Sequence, residues 1–160
     1  MEWVEFKAQR YPAFQAQGNA AQFALPYAKL VCQGRGYDIG YGRDEWKLPG
    51  ALGIDLKDGT SAESLPEGEV DYVFSSHCLE HVADWVSTLE HWLSRIKRGG
   101  ILFLYLPDAS QSYWRPWHNR KHKHVLTPDI LRLFCEDHGL DALVSQVDLN
   151  NSFMVIAQVG

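Results

Sequence analysis

The spacing of apolar residues changes several times along the chain, and the order of those changes predicts a sheet with helices laid against it. Residues 1–18 scatter Trp3, Phe6, Tyr11 and Phe14 among polar positions and Pro12, which predicts an irregular or weakly helical lead-in. From Asn19, a candidate N-cap, the residues Phe23, Leu25, Tyr27, Ala28 and Val31 recur at roughly helical spacing. Pro26 should kink or restart that helix, and Gly34 and Gly36 should end it. Three short apolar stretches follow, at 37–40, 51–56 and 70–75, each with the length and punctuation of a strand.

Asp84 then offers an N-cap for a helix running to about residue 98, with Trp85, Val86, Leu89, Trp92, Leu93 and Ile96 on one face. Lys97 and Arg98 would complement the helix dipole, and Gly99-Gly100 would terminate the helix. Residues 101–106 are continuously apolar, the pattern of a strand covered on both faces, and Pro107-Asp108 stops it. A loop spans 109–125. Thr127 as N-cap and Pro128 at the first position start another helix reaching Gly139, which should turn Ile130, Leu131, Leu133 and Phe134 inward. Strands around 143–147 and 153–159, joined by a turn at 148–151, close the chain. This order predicts an α/β fold, a Rossmann-like, mostly parallel twisted sheet with an antiparallel C-terminal edge strand. Ligands in such sheets bind beyond the carboxyl ends of the strands.

Composition narrows the class without changing that architecture. A chain of 160 residues suits one domain, with 1–33 as lead-in and helix, 34–108 as a ligand-binding core, and 109–160 as loop, helix and terminal hairpin. The formal net charge of -5 disfavours nucleic acid as a partner, although residues 115–123 form a local basic patch. Cys32, Cys78 and Cys135 are far apart and never paired as CxxC, which fits reduced thiols in a cytoplasmic protein rather than a disulfide framework or zinc knuckle. No apolar run has the length of a membrane span, so membrane insertion is not expected.

The candidate chemistry lies at the predicted strand ends. A first strand ending in glycines lets a nucleotide approach the backbone, and a second ending in an acid can accept from ribose hydroxyls. Gly40, Gly42 and Asp55 meet both requirements. The run Tyr37-Asp38-Ile39-Gly40-Tyr41-Gly42, then Gly53-Ile54-Asp55, then the stretch from Asp71 to Val82 containing Ser75-Ser76-His77-Cys78-Leu79-Glu80-His81, and finally Lys97-Arg98-Gly99-Gly100 with Pro107-Asp108, resembles class I S-adenosylmethionine-dependent methyltransferases. The resemblance covers about residues 34–108 and implies S-adenosylmethionine as cofactor. It also implies that Gly40 and Gly42 pass under the methionine and ribose, that Asp38 approaches the methionine amino group through water, and that Asp55 takes the ribose hydroxyls. Ser61 and Ala62 would border the adenine, Ser76 and His77 would close the methionine end, and residues 79–82 would pack below. The helix at Thr127-Pro128 resembles the one that follows the substrate loop in relatives acting on saccharides and cell envelopes.

The sequence departs from that pattern in ways that carry predictions. Only ten residues, 41–50, separate the first two strands, so the first crossover helix should be missing or a single turn. Residues 57–69 replace a helix and a strand, so the sheet should lack one edge strand. Arg43 stands where a third glycine is common, and Ser61 where an acid often meets adenine. These departures also suit a methyltransferase-like protein that has lost catalysis and serves in binding or assembly. A nicotinamide-dependent oxidoreductase would need the full Gly-x-Gly-x-x-Gly fingerprint and its helix, which are missing.

Methyl transfer from a sulfonium needs chiefly alignment, and a base only where the acceptor must lose a proton. His77 and Asp108 are the candidate catalytic residues, each weighed against a packing or turn role. The loop interleaves Tyr113, Trp114, Arg115, Trp117 and His124 with further cations, which suits a small-molecule or saccharide acceptor. The competing reading folds Trp114 and Trp117 into the core or a homodimer contact. His118, His122, His124 and His138 match no common zinc spacing, so no metal is expected, and Glu80 and His81 are most simply structural.

Overall fold

The computed structural model describes residues 2–6 and 8–160. Two strands, β1 (Trp3–Phe6) and β2 (Gln9–Pro12), form an antiparallel hairpin followed by the one-turn helix α1 (Ala13–Ala16). The expected irregular lead-in is therefore a hairpin. Its strands are too short for a recognisable alternation, and Pro12 is tolerated because it lies at the end of a two-stranded ladder. A 3-10 turn at Ala20–Phe23 leads to α2 (Leu25–Val31), and Pro26 restarts the helix in its first turn. Asn19 precedes the 3-10 turn without a side-chain capping bond.

The central sheet contains β3 (Gly36–Ile39), β4 (Leu52–Ile54), β5 (Val70–Ser76), β6 (Ile96–Pro107), β7 (Asp141–Val144) and β8 (Ser152–Gln158). Their spatial order is β4-β3-β5-β6-β8-β7. The first four are mutually parallel, and the C-terminal hairpin adds β8 antiparallel to β6, with β7 outermost. The fold is thus the expected Rossmann-like α/β sheet. Its first crossover is trimmed as the ten-residue spacing requires, to a 3-10 turn at Asp44–Trp46. Between β4 and β5 there is another 3-10 turn at Leu56–Asp58 and an isolated bridge from Ser61 to Ser64, so β4 is left as the sheet's edge.

Helix α3 (Trp85–Leu93) starts as expected, with the Asp84 carboxylate accepting from the Val86 and Ser87 N–H groups at 3.1 Å. It ends five residues before the expected point. Ile96 instead begins β6 opposite Val70 and is buried, while Lys97 binds Asp71 at 2.8 Å rather than the helix end. Gly99, at φ +79°, belongs to the irregular part of this strand and not to a helix stop. Helix α4 (Pro128–Asp137) is capped by the Thr127 hydroxyl accepting from the Ile130 N–H. It buries Leu131, Phe134 and Cys135, whereas Ile130 and Leu133, expected inward, lie off that stripe and are exposed.

Both sheet faces are covered. On one, Ile39, Val73, Leu102, Leu104, Phe153 and Val155 pack under α3 and α4 through Leu89, Trp92, Leu131 and Phe134. On the other, the large rings of Tyr72, Phe74, Phe103 and Tyr105 meet small residues, Ala24 and Ala28 of the α2 region and Ala51, together with Leu48.

Candidate functional site

The strand ends nearest the trimmed crossovers converge on one place. Residue 40 lies immediately past β3 at φ +75°, and its N–H donates to the Ile54 carbonyl at 2.8 Å. A Cβ there would come within 2.6 Å of the Cys78 Cβ, so glycine is required both by conformation and by close approach. The Gly42 N–H donates to Asp55 Oδ2 at 3.0 Å, and Asp55 Oδ1 accepts from the Lys57 N–H at 3.1 Å. The Asp55 carboxylate is therefore fixed at the end of β4 by two backbone donors. Asp38 points to the opposite side of β3, is 1% exposed, and accepts from the Leu48 N–H at 2.7 Å. Burial raises its pKa to about 7, against the lowering effect of the Leu48 bond and of Lys47.

A cavity of about 360 Å³ opens beyond these strand ends. Gly40, Asp55, Ser61, Ala62 and His77 line it, together with Leu56, Glu63, Cys78, His81, Val82 and Lys123. Ser61 Oγ accepts from the Glu63 N–H at 3.2 Å, and the Ala62 carbonyl accepts from Trp92 Nε1 at 2.7 Å, which ties this wall to α3. Ser76, at the end of β5, has a buried hydroxyl oxygen with no hydrogen-bond partner. Arg43 is exposed, 4.6 Å over the Trp46 ring and 3.9 Å from Glu45, and does not line the cavity.

His77 adopts φ +51°, an uncommon conformation for a residue with a side chain. Its N–H donates to the Tyr105 carbonyl at 2.8 Å. Its Nε2 lies 3.0 Å from Ser152 Oγ, whose own proton goes to the Asn150 carbonyl at 3.1 Å; Nε2 is therefore the protonated nitrogen and Ser152 the acceptor. Burial, reinforced by His122 and His81, lowers the imidazole's pKa to about 3. The ring is neutral at physiological pH and too weakly basic for general-base catalysis, but well suited to sit beside a cation.

The other candidates are more dispersed. Asp108 is half-buried, donates its N–H to the Asn151 carbonyl and accepts from the Ser110 N–H at 2.8 Å, a turn geometry outside the cavity wall. In the 109–125 loop, a 3-10 turn at Ser112–Trp114 sets the Trp114 ring edge-on to His77, with centroids 4.9 Å apart. Tyr113 is half-buried, and Arg115 donates to the Ala109 carbonyl at 2.8 Å. Trp117 is 61% exposed. His124 donates from Nε2 to the Val82 carbonyl at 2.9 Å, pinning the end of the loop.

Of the other lining residues, His81 and Val82 belong to the stretch expected to pack below the site, and Cys78 precedes it; all three follow directly from the end of β5 through a 3-10 turn at Leu79–His81, so their proximity had a sequence signal. Lys123 had none, because it reaches the cavity only by its N–H donating to the Glu80 carbonyl, 43 residues away in sequence, at 2.8 Å.

A cavity within the usual range of about 300–1,000 Å³, an acid held at a strand end and a glycine pressed against its wall together fit a nucleoside-sized ligand. Residues 16–146 match a family described as the methyltransferase domain. The chain belongs to that family. No curated protein sequence matches it. Among solved structures, the methyltransferase is similar to a S-adenosylmethionine-dependent methyltransferase of Thermotoga maritima, described as a possible histamine N-methyltransferase. The two share 17% identity, cover 92% of each chain and superpose with a TM-score of 0.70. It is also similar to a S-adenosylmethionine-dependent methyltransferase of Archaeoglobus fulgidus, at 20% identity over 90% of this chain and 94% of the other, with a TM-score of 0.65. A chain in the complex of the Haloferax volcanii Trm112 methyltransferase activator with a methyltransferase gives 15% identity, 91% coverage of each chain and a TM-score of 0.70. At these identities the likeness is one of fold. The family match thus identifies a methyltransferase domain, on a fold shared with S-adenosylmethionine-dependent methyltransferases. Among the described residues, no helix is long and apolar enough to cross a membrane.

Proposed function

We propose that residues 34–108 hold S-adenosylmethionine in the 360 Å³ cavity and that the 109–125 loop presents a small-molecule or glycan-linked acceptor to it. The observation that carries this reading is the edge-on contact of Trp114 with His77, which brings the loop to the end of the cofactor cavity. Asp55, already oriented by Gly42 and Lys57, takes the ribose hydroxyls. Ser61 and Ala62 border the adenine, and the unpartnered Ser76 hydroxyl lies at the methionine end. Gly40 and Gly42 keep the backbone low beneath the ligand.

When bound, the cofactor supplies an electrophilic methyl group on a positively charged sulfur. This chain contributes alignment and exclusion of water, with a neutral His77 that does not repel the sulfonium. Trp117, exposed in a cationic loop, offers a ring face for a sugar.

Calorimetry tests the cofactor half. Asp55→Ala should weaken S-adenosylhomocysteine binding by about tenfold or more, the scale of a lost hydrogen bond to a charged group. Unchanged affinity in that variant would refute the ribose role. Transfer of labelled methyl to a panel of saccharides and small hydroxyl or amine compounds tests the acceptor half. Trp117→Ala should then raise the acceptor KM while leaving S-adenosylhomocysteine affinity alone. A variant with the wild-type acceptor KM would remove the loop from acceptor recognition.

A further inference from the structure

Below the cofactor cavity lies a cluster of side chains that methyl transfer does not use. Glu80 is 1% exposed, and neither of its carboxylate oxygens meets a hydrogen-bond donor from another residue. An isolated buried carboxylate is costly unless it is paired or coordinates a cation. The two groups facing it are imidazoles. His81 Nε2 lies 3.4 Å from Glu80 Oε1, and His122 Nε2 lies 4.0 Å from the same oxygen.

These separations are too long for hydrogen bonds, which place such atoms about 2.7–3.2 Å apart. They are close to the edge of a tetrahedron around zinc, about 3.4 Å for metal–ligand bonds of about 2.0–2.1 Å. One ligand atom from each of Glu80, His81 and His122 lies within 4.8 Å of the others. Both rings are held from behind. His81 Nδ1 donates to the Lys121 carbonyl at 2.8 Å, which leaves the Nε2 lone pair facing Glu80, and a backbone hydrogen bond to Trp114 holds His122. Backbone carbonyls that orient the far side of an imidazole are the usual support for a metal ligand.

We infer that Glu80, His81 and His122 form a binding site for a divalent transition-metal ion of the zinc type, which clips the 109–125 loop to the connection between β5 and α3. Two imidazoles and a single carboxylate suit such an ion, whereas magnesium and calcium favour oxygen ligands. The ligands also explain the topology of the clip. Glu80 and His81 belong to the 3-10 turn after β5, while His122 comes from a 17-residue loop whose only helical element is the single 3-10 turn at Ser112–Trp114. His81 is also part of the cavity wall, so the ion lies between the cofactor site and the loop.

The full chain, stripped with a chelator and dialysed, provides the test. It should take up one Co²⁺ with the visible spectrum of a tetrahedral site, and Zn²⁺ should displace it, raise Tm and slow tryptic cleavage in the loop at Arg120 and Lys121 by about tenfold or more. Glu80→Gln, which preserves size, and His122→Ala should each weaken Co²⁺ binding by about tenfold or more. His118→Ala, in the same loop, should bind as the wild type does. The proposal is overturned by an absence of saturable Co²⁺ or Zn²⁺ binding, by binding that survives both variants, or by Zn²⁺ binding without protection of the loop. Because Glu80→Gln removes only charge, it carries the test if His122→Ala does not fold. S-adenosylhomocysteine calorimetry on the same samples separates the two readings, since retained cofactor binding without metal uptake refutes the metal site alone.

Discussion

The two faces of the sheet are built by opposite rules. Under α3 and α4, branched aliphatic residues of the strands meet large helix residues such as Trp92, Leu89 and Phe134, so both layers contribute volume. On the other face the strands contribute four large rings, Tyr72, Phe74, Phe103 and Tyr105, and the covering segments bring mostly alanines that lie close against the rings, with Leu25 and Leu48 beside them. The difference follows from the trimmed crossovers. With no helix after β3, that face is closed by the short α2 and by the segment around Leu48 and Ala51, and large strand residues fill the space a longer helix would occupy. The first face is therefore sensitive to lost volume and the second to added volume.

The largest expected effect breaks the first face. Trp92→Ala should cost about 3–5 kcal/mol in urea unfolding, because it empties a fully buried site. It should also weaken S-adenosylhomocysteine binding, since Trp92 Nε1 holds the Ala62 carbonyl in the cavity wall. Trp92→Phe, which removes that bond with less lost volume, should retain more stability than Trp92→Ala yet still weaken the cofactor; wild-type affinity in Trp92→Phe would show that the tether does not shape the wall.

Next in size is an electrostatic test of the second face. The folded carboxyl of Asp38 titrates at about 7, above an unfolded value of about 3.9. Between those values the folded state holds a proton that the unfolded state lacks, so this residue makes stability fall as pH rises from about 4 to about 7. Asp38→Asn keeps an acceptor for the Leu48 N–H and removes the charge. Its stability relative to wild type should increase across that window and level off above it. A constant difference between the two proteins from pH 4 to 8 would contradict the raised pKa. The smallest of the three effects, about 1–3 kcal/mol of destabilisation, is expected for Ala28→Leu, which overfills the gap between α2 and the rings. Unchanged unfolding in that variant would mean that the second face yields to added volume.

Much of this was legible because it depends on local pattern. The continuous apolar run of β6, the Asp84 and Thr127 caps and the short 41–50 spacing each had a direct structural counterpart. The errors came where pairing outweighed local preference. Ile96, Lys97 and Arg98 fit a helix face, but Ile96 gains more by burial opposite Val70, so the helix gives way to strand. Ile130 and Leu133 look inward by periodicity, yet α4 has one buried stripe, and Leu131, Phe134 and Cys135 occupy it. The relation of His122 to Glu80 and His81 left no trace in spacing, because a loop with almost no regular structure brings them together across about 40 residues. Histidines grouped by sequence alone go separate ways in space: His118 meets the Ser112 carbonyl, His124 that of Val82, and His138 the Glu90 carboxylate.

The loss of a strand beyond β4 also bears on self-association. Open sheet edges invite a second chain to add itself, and the hazard grows with the length of backbone presented. Here the exposed border is the three residues Leu52–Ile54, entered from Gly50 at φ +85° and left through the Asp55 turn. Tyr41 packs so closely over Gly53 that even a methyl group there would collide with its ring. A border so brief and so closely flanked presents little for another chain to template upon, so the strand beyond β4 can be lost without opening a long edge on that side of the sheet.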